Sequence, residues 1–96
     1  MYGLKPQLLQ ALAAMAQYYG LHRLILFGSR ARGDYKERSD IDLAVSGDNV
    51  SAFAAAADEE LPTLLQLDIV SLDGAVQQEL LQAIEQEGII LYEKIC

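Results

Sequence analysis

The run Arg23-Leu-Ile-Leu-Phe27 breaks off at Gly28-Ser29. A mostly apolar stretch of this length reads as a strand buried on both faces, and so as a central strand with something packed on each side. The chain has 96 residues, enough for one small domain near the lower end of what can bury its own core. Hydrophobic residues make up 52% of it, so a packed core is feasible and disorder is not expected. Residues 1–96 are therefore read as a single domain built around that strand.

The rest of the chain supplies what would pack on it. Residues Pro6 to Tyr19 read as a helix, with Pro6 in the first turn and Leu8, Leu9, Leu12, Met15, Ala16 and Tyr19 on one face. Gly20 is placed to end it. Ser29 reads as the N-cap of a short helix through Ala31 and Arg32, followed by a polar loop from Gly33 to Arg38. Asp40-Ile-Asp-Leu-Ala-Val45 begins with alternation and reads as a second strand. A turn at Ser46 to Asn49 leads to a helix with Val50, Phe53, Ala54, Ala57 and Leu61 on one face, ended or kinked at Pro62. A third strand lies within Leu65 to Leu72. Asp73 is expected to cap a last helix with Val76, Leu80, Leu81 and Ile84 inward, closed by Gly88. Ile89 to Tyr92 is a short final strand or extended segment. Helices and strands alternate, which predicts an α/β layer structure around a small sheet. The loop from Gly33 to Arg38 suits either strand direction, so strand order does not follow from the sequence.

Charge narrows the function. The formal net charge is −7, which argues against a broad nucleic-acid-binding face. Four of the seven positive side chains, Arg30, Arg32, Lys36 and Arg38, fall in one short segment. Such a local patch suits a small polyanion, or else simply keeps a loop solvated. No apolar run approaches bilayer length, and no leader pattern opens the chain. The lone cysteine, Cys96, has no partner for a disulfide or a metal site, which fits a reducing cytoplasm.

Three features carry chemistry. Gly28-Ser29 lies where a buried strand turns into a helix. The helix start offers backbone N–H groups, glycine lets a phosphate approach closely, and the serine hydroxyl can donate. A plain turn and cap would look the same, and the Lys-Ser/Thr of a P-loop is missing after Gly33. The second feature is Asp40-Ile-Asp42. Residues i and i+2 of a strand share a face, so the two carboxylates project together. Two anions side by side repel unless a cation or protons stabilise them, and carboxylate oxygens suit Mg²⁺; a solvated strand start is the alternative. The third is Asp68, a lone carboxylate among Leu67, Ile69 and Val70, costly in a buried strand unless paired. Beside the Asp40–Asp42 strand it would join the same face; the exposed face of an edge strand is the alternative. Three carboxylates could hold two metal ions about 4 Å apart and clamp the attacking and leaving oxygens of an in-line displacement.

Gly28-Ser-Arg-Ala-Arg-Gly33, then Ser39-Asp-Ile-Asp-Leu43, then Asp68 between apolar residues, resembles the DNA polymerase β-type nucleotidyltransferase superfamily. More closely it looks like the minimal nucleotidyltransferase branch, partner of HEPN proteins; the ending Glu87-Gly-Ile-Ile-Leu-Tyr92 is similar too. The resemblance implies an α/β (α+β) fold, a small mixed sheet with helices packed on it. It implies that Gly28 and Ser29 contact nucleotide phosphates and that Asp40, Asp42 and Asp68 are the catalytic metal triad. Arg30, Arg32 and Lys36 are candidates for holding the triphosphate or the partner, and the motif assigns them no role of their own. The implied cofactor is Mg²⁺, two ions, with ATP as substrate. The implied partner is a helical HEPN-type RNase toxin, which such a protein neutralises as an antitoxin, in some members by transferring AMP to a tyrosine. Transfer to a small hydroxyl compound such as an aminoglycoside, and occlusion of a toxin without catalysis, are the competing expectations. So short a chain has little wall for a pocket, so the acceptor site is expected on another chain, in a hetero-oligomer.

His22 is expected just ahead of the first strand, with no ligand-spaced neighbour. Tyr19 and Tyr92 are expected in or near the core, Tyr35 at a partner surface, and Cys96 frayed.

Overall fold

A computed structural model describes residues 2–61 and 63–94. The central strand expected from the sequence is β1, Leu21–Phe27. Its alternate side chains serve two separate cores. Leu24 and Leu26 face one, and Ile25 and Phe27 face the other. β1 pairs antiparallel with β2 (Ile41–Gly47) on one side and with β4 (Ile89–Glu93) on the other. β3 (Leu67–Ser71) runs parallel to β2, so the sheet is mixed, in the order β3-β2-β1-β4.

Helices α1 (Pro6–Tyr18) and α3 (Val50–Glu60) cover the first face. Leu8, Leu12 and Ala16 of α1 and Phe53 and Ala57 of α3 close over Leu24, Leu26, Ile41, Leu43 and Val45. Pro6 opens α1, where its missing N–H costs nothing. Gly20, at φ 69°, lets the chain turn out of the helix into β1, its N–H donating to the Gln17 carbonyl at 3.1 Å. Helix α4 (Gln78–Glu87) lies on the second face, where Leu80 and Ile84 pack with Leu72 against Ile25, Ala44 and Val70. Between β1 and β2 stands the one-turn helix α2, Ser29–Arg32. No helix among the described residues is long and apolar enough to cross a membrane.

Several local expectations are corrected. Gly28, not Ser29, occupies the cap position of α2; Ser29 is its first helical residue. β2 continues through Ser46 and Gly47 because Gly47 still pairs with Leu21, which also puts His22 inside β1. Asp73 does not cap α4. The parallel pairing sets Ser71 beside Val45, and Asp73 then accepts the Gly47 N–H at 2.8 Å. α4 starts only at Gln78, leaving Val76 outside it. Tyr19 and Tyr92 are half-buried as expected, Tyr19 with its ring 6.5 Å from that of Phe53. Pro62 and Cys96 fall outside the described residues.

Candidate active site

Strand register builds the site. On the second face, Ile25 pairs with Ala44 and Ala44 with Val70, an apolar row that α4 covers. One step along, Phe27 pairs with Asp42 and Asp42 with Asp68. Residues directly opposite on neighbouring strands share a face. The second row therefore carries two adjacent carboxylates on the same face as the apolar row. Asp42 is half-buried there and Asp68 exposed. Asp40 is exposed, one residue ahead of β2.

The turn after β1 fits this row. Gly28 has φ 76° and ψ −156°, a conformation that essentially only glycine adopts. A Cβ at Gly28 would collide with the Asp42 carboxylate. The glycine thus both redirects the chain and leaves room for Asp42. Ser29 follows at the start of α2, where the first N–H groups have no carbonyl one turn earlier. Phosphate ligand and carboxylates would then lie side by side.

The electrostatics agree with the register. The Asp42 carboxyl is raised above its ordinary value, first by burial, then by the charges of Asp68 and Asp40, while Arg32 pulls it down. Asp40 thus acts on the same carboxyl as Asp68, although it stands outside the strand.

Among the described residues no three His, Cys, Asp or Glu side chains converge tightly enough, as they stand, to hold a metal ion. The donor chemistry nonetheless fits a hard divalent cation. It offers carboxylate oxygens only, two of them from residues in register on adjacent strands. A divalent cation would also compensate what raises Asp42, the burial of its charge and the repulsion from its neighbours.

The two arginines of the turn have different roles. Arg30 is 1% exposed. Its guanidinium donates to the Ser39 carbonyl (3.1 Å from Nε, 2.9 Å from Nη2), to Tyr2 (3.0 Å) and to Glu37 (3.2 Å). The Tyr35 ring lies 5.1 Å from it. Arg30 is therefore corrected from triphosphate ligand to structural clamp: its donors fix the loop that delivers Asp40. Tyr35, expected at a partner surface, is half-buried against that clamp instead. Arg32 stays exposed. It donates to Asp34 at 3.3 Å and to Glu87, at the end of α4, at 3.1 Å. These two bonds, Glu87 first, raise its already high pKa.

Sequence reasoning missed Glu87 as part of this neighbourhood. A carboxylate in a helix's last turn, with no basic residue there, opposes the helix dipole and was the available signal.

Comparison with known proteins gives the same architecture. A 37-residue stretch is 54% identical to the "Putative protein adenylyltransferase MJ0604" of Methanocaldococcus jannaschii; it covers 38% of this chain and 37% of that protein. The fold is similar to a toxin–antitoxin crystallised with AMP-PNP (TM-score 0.65, 26% identity, 90% of this chain and 73% of that one). It is also similar to a mutant form of the MntA–HpeT toxin–antitoxin (TM-score 0.64, 27% identity, 95% and 74% covered). The structure of "a putative nucleotidyltransferase from Sulfolobus solfataricus", at 18% identity, shares the fold alone (TM-score 0.51, 92% and 82% covered). The family model "Polymerase beta, Nucleotidyltransferase" matches residues 10–95 and so takes in every residue of the site: the chain belongs to the polymerase β nucleotidyltransferase family.

Proposed function

We propose that this chain transfers AMP from ATP to a hydroxyl of a partner protein, and that the partner is a toxin of the helical HEPN type which the transfer silences. The observation that carries the chemistry is the row Asp42–Asp68, in register on parallel strands beside the Gly28–Ser29 turn. The toxin–antitoxin relatives and the adenylyltransferase segment support the choice of nucleotide and acceptor.

The acceptor oxygen would attack the α-phosphorus. A new P–O bond forms, the bond to the β-phosphate oxygen breaks, and pyrophosphate leaves. Asp40, Asp42 and Asp68 would hold Mg²⁺, which supplies charge neutralisation for the attacking and leaving oxygens when bound. Gly28 lets the polyphosphate approach the backbone, and Ser29 supplies N–H and hydroxyl donors to it. Asp68, the more exposed strand carboxylate, is suited to take the acceptor proton. Arg32, at the rim and exposed, can exchange its carboxylate partners for phosphate oxygens. Most of the acceleration would come from positioning and charge compensation.

Intact-protein mass spectrometry tests this. The chain is incubated with Mg²⁺, ATP and the product of the adjacent reading frame, with Asp42→Asn in parallel. Whole AMP increments on the partner, absent with Asp42→Asn, are the expected result. A stable, silenced complex without any increment would replace transfer by occlusion. Turnover on small hydroxyl compounds alone would move the acceptor away from protein.

A further inference from the structure

Arg32 is tied by its backbone to the Gly28–Ser29 turn. Its N–H donates to the Gly28 carbonyl at 3.0 Å. Gly33, at φ 93°, ends α2 directly after it, with its own N–H on the Ser29 carbonyl at 2.9 Å. The Arg32 side chain leaves this short, closed helix and meets two carboxylates, Asp34 and Glu87. The Asp42 carboxyl, raised by burial and by its carboxylate neighbours, is pulled down by Arg32, so the guanidinium charge reaches the carboxylate row.

The two partners of Arg32 are not equivalent. Asp34 is two residues away in the polar loop, accepts from Nε at 3.3 Å and is 63% exposed. Glu87 is 55 residues away, accepts from Nη1 at 3.1 Å and is 34% exposed. Glu87 is the last residue of α4, and the N–H of Gly88 after it donates to the Ile84 carbonyl at 2.8 Å. A Cβ on Gly88 would collide with that carbonyl and with the Ile25 side chain of β1. The end of α4 is therefore pressed onto the central strand. Glu87 projects from backbone held by the core, and Asp34 from a loop.

Stability does not account for Glu87. A carboxylate in the last turn of a helix opposes the helix dipole, and a surface ion pair contributes little. Orientation does account for it. A guanidinium is a planar fork with two donor edges, Nε with Nη2 and Nη1 with Nη2. Glu87 holds the Nη1 corner, and Nη2 donates to no group among the described residues. Asp34 has the longer bond and the more exposed carboxylate. Releasing it frees the whole Nε–Nη2 edge, a bidentate donor pair matched to a phosphate, while Glu87 still fixes the plane of the group.

We propose that Glu87 is a positioning residue: by accepting from Nη1 it orients Arg32 so that nucleotide displaces Asp34 and receives the Nε–Nη2 edge on its triphosphate, beside the Gly28–Ser29 turn. The proposal rests on the reading of this site as an ATP site given above. It makes the end of α4, far along the chain from the glycine-serine motif, part of the nucleotide-binding apparatus.

The test is calorimetric titration of the chain, in Mg²⁺, with the α,β-methylene analogue of ATP, which cannot lose pyrophosphate. Arg32→Ala should weaken binding about tenfold and Glu87→Ala about fivefold. Adding Glu87→Ala to Arg32→Ala should weaken it no further, because no arginine is left to orient. Glu87→Gln, which keeps an acceptor oxygen at the same reach, should fall between the parent and Glu87→Ala. Asp34→Ala should have the opposite sign and tighten binding, since Asp34 is the partner given up. Melting curves by circular dichroism should be alike in all of them. Unchanged or tighter binding in Glu87→Ala overturns the proposal, the second by making Glu87 a competitor of the nucleotide. So do losses that simply add in the double variant, and so does an Asp34→Ala loss as large as that of Glu87→Ala. A parent chain that binds no analogue would instead sink the ATP reading, and the proposal with it.

Discussion

The two faces of the sheet carry the same alternation and end differently. On the face under α1 and α3, Leu24, Leu26, Ile41, Leu43 and Val45 are sealed. On the face under α4, Ile25, Ala44 and Phe27 are buried and Val70 half-buried, and the row of Phe27 carries the carboxylates Asp42 and Asp68. One face is spent on stability. On the other, the half-buried Asp42 and exposed Asp68 interrupt the apolar surface, and these are the groups proposed to do the chemistry. The arginines of Gly28-Ser-Arg-Ala-Arg-Gly33 divide in the same way, Arg30 built into the interior and Arg32 left at the rim. Neighbours in sequence are thus sorted into scaffold and site by which surface they reach.

The sharpest way to break this comparison is to remove one group from each face. Asp42→Asn should lower transfer by about 10³-fold, equivalent to about 4 kcal/mol of barrier. It should leave the fold intact. Leu24→Ala on the sealed face should do the reverse, costing about 2–5 kcal/mol of stability by denaturant titration. A destabilised Asp42→Asn would mean that the carboxylate row is scaffold after all.

Arg30→Ala should behave as a core mutation, with a loss of about 2–4 kcal/mol, because it empties the space of a buried side chain and removes the donors to the Tyr2, Glu37 and Ser39 carbonyls. If stability held and only nucleotide affinity fell, the division of labour between the two arginines would be wrong.

Smaller is the pH effect. Asp42 holds its proton more tightly folded than unfolded, so ionising it opposes folding. Its stabilising contribution is fully present below the unfolded carboxylate pKa and is lost as pH rises through the raised folded value. The metal-free protein should therefore lose Tm relative to Asp42→Asn as pH rises above the ordinary carboxylate value of about 4. Saturating Mg²⁺ should raise the Tm of the parent chain and not of the variant. Parallel Tm curves in the two proteins would show that Asp42 does not feel its neighbours.

Glu87→Gln should have the smallest effect. It breaks an exposed ion pair, so Tm should move within experimental error. A clear loss would show that the Arg32–Glu87 contact fastens α2 to α4.

Much of this was legible along the chain. The eight elements came out in the right order, because apolar periodicity and the Gly and Pro punctuation are local signals. Gly28-Ser29 and Asp40-Ile-Asp42 stood out because polar residues interrupt or adjoin strands that should be apolar. The misplacements share one cause. Asp73 and the end of β2 follow contacts with residues distant in sequence, and no local propensity records them.

The sequence alone determined the α/β alternation, the central strand, the turn that glycine permits and the carboxylates as candidates, since each depends on residue type and spacing over a few positions. Tertiary structure decided the strand order, the register that puts Asp68 beside Asp42, the burial of Arg30 and the meeting of Arg32 with Glu87. Those depend on which segments pair and which surfaces are covered. Pairing and coverage are settled by the whole chain's competition to bury its apolar side chains, and no single segment carries that outcome.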